Sequence, residues 1–253
     1  MNLPLSGLGV LITRPLEQAA GLRSRLEALG ARPVLFPTLA ILPPTDAAAL
    51  APRLAALAEY DLAIFISPTA ARHGLGLIPA WPRGLRAAAV GPGTLAALRE
   101  AGVAPVLAPS AGADSEQLLA LPELADLSGR RVLIFRGEGG RELLAETLAA
   151  RGAEVDYAEC YRRGLPASDP GNLLDEWRRG GIQAVTVLSS QGLDNLFTLL
   201  GADNAELIRA TPLFAPHTRI AEHARALGLS RAIATPPGEA GLARALVEYF
   251  AHV

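Results

Sequence analysis

Hydroxyls, glycines and arginines recur in this chain wherever a short apolar run gives way to a helical pattern. They gather at Thr13-Arg14-Pro15, Ser67-Pro68-Thr69, Gly91-Pro92-Gly93-Thr94, Asp114-Ser115, Arg136-Gly137-Glu138-Gly139-Gly140, Ser189-Ser190-Gln191, His217-Thr218 and Thr235-Pro236. A helix N-terminus presents free N–H groups, and both those amides and arginine forks favour carboxylate or phosphate. The chemistry on offer is recognition of a ligand carrying several anionic groups. No Ser/His/Asp set and no pair of catalytic acids accompanies it, and His73, His217, His223 and His252 have no metal-ligand spacing. All 23 basic residues are arginine, which removes a Schiff-base lysine, a pyridoxal phosphate anchor and a P-loop lysine.

Each of these positions also has a plainer reading. Ser67, Ser189 and Asp114 suit N-caps first of all. Arg14 and Arg136 fit either solvated turns or ligand contacts. Gly137, Gly139 and Gly140 lack the third spaced glycine of a dinucleotide fingerprint. Tyr161 in an extended run reads as packing, His217 as a solvated loop histidine and Cys160 as a small hydrophobe.

The elements that must carry these residues occur twice. Arg131–Arg163 reads as strand, glycine turn, helix and second strand, and moved back by 122 positions it lands on the segment from Gly9 without a gap. Val132, Leu133, Ile134 and Arg136 then fall on Val10, Leu11, Ile12 and Arg14, and Gly152 falls on Gly30. The same offset relates Ser67 to Ser189. Periodicity predicts helices over Glu17–Leu29, Leu50–Ala58, Thr94–Ala101, Leu118–Leu121 and Ala240–Phe250, with Gly30 as a C′ residue. Continuous apolar strands are predicted at Val10–Thr13, Leu62–Ile66, Ala87–Val90, Ala184–Leu188 and Leu213–Ala215, as in sheets covered on both faces. Val34–Ile41 is extended, but Pro37, Pro43 and Pro44 keep it from a central position and make it a linker. Five strands per half, alternating with helices, define an α/β protein of two parallel-sheet lobes arising from internal duplication. In such sheets ligands bind outside the carboxyl ends of the strands, so a polyanionic ligand is expected between the lobes.

Composition removes other classes. Half of the 253 residues are hydrophobic and the net charge is −2, so no electrostatic footprint for nucleic acid or an anionic membrane is present. No apolar run is long enough to span a bilayer, and the N-terminal segment lacks the basic n-region of a secretory signal. Cys160 is the single cysteine, which excludes an internal disulfide framework and matches a reducing, cytoplasmic setting.

The order Thr13-Arg14-Pro15, Ser67, Val90-Gly91-x-x-Thr94, Ser115-Glu116-x-Leu118, Arg136-Gly137-Glu138-Gly139-Gly140-Arg141, Tyr161-x-Arg163 and Ser189 resembles the uroporphyrinogen-III synthase family, in its proteobacterial type, over nearly the whole chain. The resemblance implies two flavodoxin-like or Rossmann-like lobes joined by two extended connections, with strands exchanged between the halves. Lobe one is expected to combine 1–38 with 165–253, and lobe two to hold 39–164, with linker strands near 37–44 and 155–165. The implied reaction is cyclisation of the linear tetrapyrrole hydroxymethylbilane with inversion of ring D, through an azafulvene and a spiro intermediate, with release of water. It needs no metal or organic cofactor.

By the same resemblance Tyr161 assists departure of the hydroxyl, and Thr94, Ser67 and Ser189 line the substrate site. Thr13, Arg14, Gly91, Ser115, Arg136, Gly137, Glu138, Ser190 and Thr218 complete the expected substrate contacts. The second half departs from the pattern at His217, where a glycine is missing, and at Ile220, which stands where Thr94 carries a hydroxyl. The chain is expected to be a cytoplasmic monomer whose substrate is handed over by the preceding pathway enzyme. A non-catalytic two-lobed binder of a small polyanion is the alternative, and a nucleotide-dependent transferase lacks its fingerprint.

Overall fold

The apolar runs become short parallel strands whose alternate residues face opposite layers of helix. A computed structural model describes residues 3–110, 112 and 114–251; His252 lies outside them. The chain begins with β1 (Gly9–Ile12), α1 (Ala20–Ala28) and β2 (Arg32–Leu35). There follow β3 (Ala40–Leu42), α2 (Ala47–Ala55), β4 (Leu62–Phe65), α3 (Pro68–Gly76), β5 (Arg86–Ala89), α4 (Pro92–Glu100), β6 (Val106–Leu107) and α5 (Ser115–Leu119). The second half opens with β7 (Arg131–Gly137), α6 (Leu143–Ala150) and β8 (Glu154–Gly164). It closes with α7 (Gly171–Arg178), β9 (Ala184–Thr186), α8 (Ser190–Leu200), α9 (Ala205–Arg209), β10 (Leu213–Ala215), α10 (Thr218–Ala226), β11 (Ala232–Ala234) and α11 (Gly238–Phe250).

Neither half of the duplication folds into a sheet of its own. One sheet has the order β11-β10-β9-β1-β2, the other β3-β8-β7-β4-β5-β6. The first two strands of the chain therefore join the last three, and the strands that repeat them, β7 and β8, join β4, β5 and β6. Pairing is parallel throughout the first sheet and from β8 to β6 in the second, with Leu11 beside Val185 and Ile64 beside Ile134. The contacts part the chain into a first unit, through Ala40 together with the residues from Gly164 onward, and a second unit, Ile41–Arg163.

Each sheet is buried on both faces. In the first unit Leu11 packs with Val185, Leu193 and Leu213, while Val10 and Ile12 point the other way onto Leu22, Leu26 and Leu246. In the second, Ala63 and Phe65 face Phe135 and Ala71, and Leu62 and Ile64 face Leu118, Leu144 and Leu148. A strand's period of two makes this division automatic once both faces are covered. The Phe65 and Phe135 rings stack at 4.4 Å between centroids, and Gly74 lets α3 come down onto them, since a Cβ there would lie 2.5 Å from Phe135 Cδ1.

Several boundaries differ from those expected of the sequence. The helix expected from Glu17 begins as a 3-10 turn at Leu16–Gln18, and α1 starts only at Ala20; neither start has a side-chain cap. The helix expected from Leu50 starts at Ala47, because the Asp46 carboxylate accepts the Ala49 N–H at 2.9 Å and caps it. The extended run from Val34 is two strands in two sheets, β2 and β3, each at an edge, where a proline's missing N–H leaves no ladder bond broken. β3 is what makes the second sheet six-stranded rather than five. Gly30 and Gly152, at matched positions of the duplication, both have φ +88° past the end of a helix, a conformation that costs glycine little.

Candidate active site

The second unit assembles its site where β4, β5, β7 and β8 end. Ser67 follows β4 and caps α3, its Oγ accepting the Ala70 N–H at 3.0 Å. Gly91 follows β5 and begins α4 in extended backbone, which leaves Thr94 buried in the first turn. The β7–β8 ladder runs regularly to Arg136 beside Glu159 and then slips, so that Gly137 stands beside Tyr161 and Cys160 is the extra residue. An extra residue in one strand turns the next side chain to the other face. Cys160 and Tyr161, although adjacent, consequently both pack into the core beneath α3. Tyr161 is 3% exposed, and its Oη lies 3.5 Å from Ser67 Oγ. The Cys160 thiol donates to the Arg136 carbonyl at 3.3 Å, and burial pushes its pKa up to about 12, so it is no thiolate nucleophile.

Arg136 is 3% exposed and its guanidinium is committed within the unit. Nε donates to the Gly139 carbonyl at 3.1 Å, Nη1 to Glu142 at 3.0 Å, and the group lies 4.4 Å over the Tyr157 ring. Tyr157 in turn donates to Glu142. Burial, and then that carboxylate, push the Tyr157 hydroxyl up to about 12, while the Tyr157 and Arg136 donors hold Glu142 below the usual carboxylate range. Arg136 therefore pins the turn after β7 while lining the space beside it. A cavity of about 180 Å³ opens beside it, with Ser115, Asp114, Gly140 and Arg141 on its wall. Glu138 is exposed and accepts from the backbone N–H and the hydroxyl of Thr45, so it ties down the start of α2.

The first unit repeats the frame with other contents. Ser189 caps α8 through the Gly192 N–H at 3.0 Å, and Ser190 is the first residue of that helix. The buried Thr13 hydroxyl donates to the Thr186 carbonyl at 2.9 Å, and the Thr13 carbonyl accepts from Thr38 Oγ1 at 3.2 Å. Asn195 Nδ2 donates to the Thr38 carbonyl at 2.7 Å. Arg14 forms an ion pair with Glu239 at the start of α11. His217 precedes α10 without capping it, Thr218 opens that helix with an exposed side chain, and Ile220 is buried.

The second unit's fold thus brings Ser67, Gly137, Cys160 and Tyr161 together, with Thr94, Ser115, Arg136 and Glu138 on the same rim. Thr13, Arg14, Ser189, Ser190 and Thr218 lie on the rim of the first unit. Glu142, Tyr157, Thr38 and Asn195 support these rims and were not anticipated. Glu142, six residues past Arg136, carried the only local signal. Among the described residues no cluster of three or more His, Cys, Asp and Glu side chains is placed to hold a metal ion.

Two open, parallel-dominated sheets with polar, amide-rich rims at the carboxyl ends of their strands define a two-unit α/β protein of the class whose ligands bind at those strand ends. The family model described as uroporphyrinogen-III synthase HemD matches residues 20–244. Uroporphyrinogen-III synthase of Salmonella typhimurium is 37% identical over 227 residues, 87% of this chain and 92% of that protein. The Escherichia coli enzyme is 37% identical over 197 residues, 76% of this chain and 80% of its own. The chain belongs to the uroporphyrinogen-III synthase family. The fold agrees: the synthetase from Helicobacter pylori superposes with a TM-score of 0.60 at 12% identity, covering 96% of this chain and 99% of that one. A mutant synthase from Thermus thermophilus gives 0.57 at 22%, covering 97% and 100%.

Proposed function

We propose that this protein is a cyclising lyase that converts hydroxymethylbilane to uroporphyrinogen III with inversion of ring D and release of water. The observation that carries this reading is the match to the Salmonella synthase along 87% of the chain. Tyr161 acts as the acid. Its phenol passes a proton to the departing hydroxyl, the C–O bond breaks with its electrons on oxygen, and water leaves. A pyrrole nitrogen lone pair fills the cation and gives the azafulvene. Ring D then attacks through its substituted carbon, and the spiro intermediate fragments and recloses. The ring carbon that forms the last bond sheds a proton, which restores the phenol.

A free phenol, ionising near a pH of about 10, is a weak acid, and most of the acceleration comes from holding the chain of pyrroles in a folded geometry. Gly91, Thr94 and Ser115 in the second unit, and Arg14, Ser189, Ser190 and Thr218 in the first, are assigned to the carboxylate arms, and Ser67 to the substrate site beside Tyr161. Thr13, Arg136 and Glu138 act one step back, by fixing the backbone of those rims. The single cysteine is buried and unpaired, which suits the reducing cytoplasm to which we assign the protein.

A coupled assay on freshly generated hydroxymethylbilane, resolving the type I and type III macrocycles, tests the reading. Type III product above the uncatalysed background is expected. Type I alone would overturn it.

A further inference from the structure

We infer that Gly137 is a positioning residue for the Tyr161 hydroxyl: its missing side chain makes the space that the phenol ring occupies against Ser67. The inference rests on the reading of Tyr161 as the acid and adds the residue that aims it. A Cβ built on Gly137 would lie 2.7 Å from both Cε2 and Cζ of Tyr161, and 3.1 Å from its Oη. The tip of the ring therefore lies against the Gly137 backbone. Gly137 is not chosen for its own conformation, since its φ is not among the positive values in the chain. The reason for glycine at this position is the neighbour.

A register slip and two further contacts fix the same tyrosine. The register slip at Arg136/Gly137 turns Tyr161 toward α3 instead of away from it. The Glu138 N–H donates to the Tyr161 carbonyl at 2.9 Å, so the turn that follows Gly137 also grips the tyrosine backbone. On the far side, Ser67 Oγ already accepts from the Ala70 N–H and stands 3.5 Å from Oη, so its own proton is free to donate to the phenol oxygen. A phenol held that way directs its proton outward, and the serine supports the phenolate once the proton has gone. At the matched positions of the first unit, Pro15 replaces Gly137 and Leu39 replaces Tyr161, so that unit has neither the phenol nor the glycine beneath it.

The test is a kinetic cycle with Gly137→Ala and Tyr161→Phe. The methyl meets the far end of a side chain rather than backbone, so G137A is expected to fold with the ring displaced. Its kcat should fall about tenfold with KM unchanged, within the ~100-fold that a ~1 Å misplacement can cost. In the Y161F background, where no proton is left to aim, the same methyl should change kcat by less than about twofold. An equal loss in both backgrounds, a raised KM with kcat intact, an unchanged G137A enzyme or a G137A chain that does not fold would each overturn the inference. Y161F at wild-type kcat would instead overturn the reading of Tyr161 beneath it.

Discussion

At matched positions of one duplicated frame, the two units carry different chemistry. Both place an arginine where a repeated strand gives out, Arg14 just past β1 and Arg136 near the end of β7, and both cap a helix with serine, Ser189 or Ser67. Beyond these the contents diverge. The second unit sets a phenol over a glycine and buries a hydroxyl at Thr94, whereas the first has Leu39, Pro15 and Ile220. Thr13, Thr38 and Asn195 in the first unit donate to the Thr186, Thr13 and Thr38 carbonyls of that unit. Duplication thus supplies a scaffold twice, and reactive groups are needed only once. On the proposed function, the second unit does the proton chemistry and the first contributes donors for the carboxylate arms.

The widest separation between the units is expected in turnover. Tyr161→Phe should lower kcat about 100-fold, the low end of what a positioned general acid contributes, while Leu39→Ala should change it by no more than about twofold. Equal losses would erase the division of labour. The arginines come next, in stability. Removing Arg136, buried and bonded to a carbonyl and a carboxylate, should cost about 2 kcal/mol in denaturant titration, against less than about 1 kcal/mol for the more exposed Arg14. Losing either serine cap should cost about 1 kcal/mol, so Ser67→Ala and Ser189→Ala should melt alike, yet the first should lower kcat more, while the second, on the carboxylate arms, should mainly raise KM. If both slow it equally, Ser67 has no special relation to Tyr161.

The smallest effect is alkaline. Burial, and then hydrogen bonds to Asp156 and Glu142, push Tyr60 and Tyr157 in the second unit from 10 to about 12. A group whose folded pKa is raised contributes stability that is fully present below its unfolded value and lost as pH passes the folded one. Thermal stability should therefore decline between about pH 10 and 12, and Tyr60→Phe with Tyr157→Phe should flatten that decline. An unaltered slope in the double variant would show that these hydroxyls do not govern it.

Much of the fold was readable because local interactions dictate it. Ser67, Ser189 and Asp114 could be recognised as caps from the apolar run before them and the helical spacing after, and all three accept the N–H three residues on. Gly30 announced its own helix end. The start of α2 was misplaced because Asp46 lies among prolines and alanines that carry no periodicity. The candidate site was legible as a set of loops, but not as a set of partners. Arg136 looks the same in sequence whether its guanidinium meets solvent, a ligand or Glu142. Tyr161 looked like linker packing because a one-residue slip in a ladder leaves no mark on either strand.

From sequence alone came the duplication, the parallel α/β class, the order of elements and the polar residues at each strand end, since backbone propensity, capping and apolar periodicity act within a few residues. Tertiary structure alone decided which strands share a sheet, that both arginines are already paired, and that Gly137 receives the ring of Tyr161. Those outcomes depend on groups from separate elements competing for the same space and the same hydrogen bonds, and only the folded chain resolves that competition.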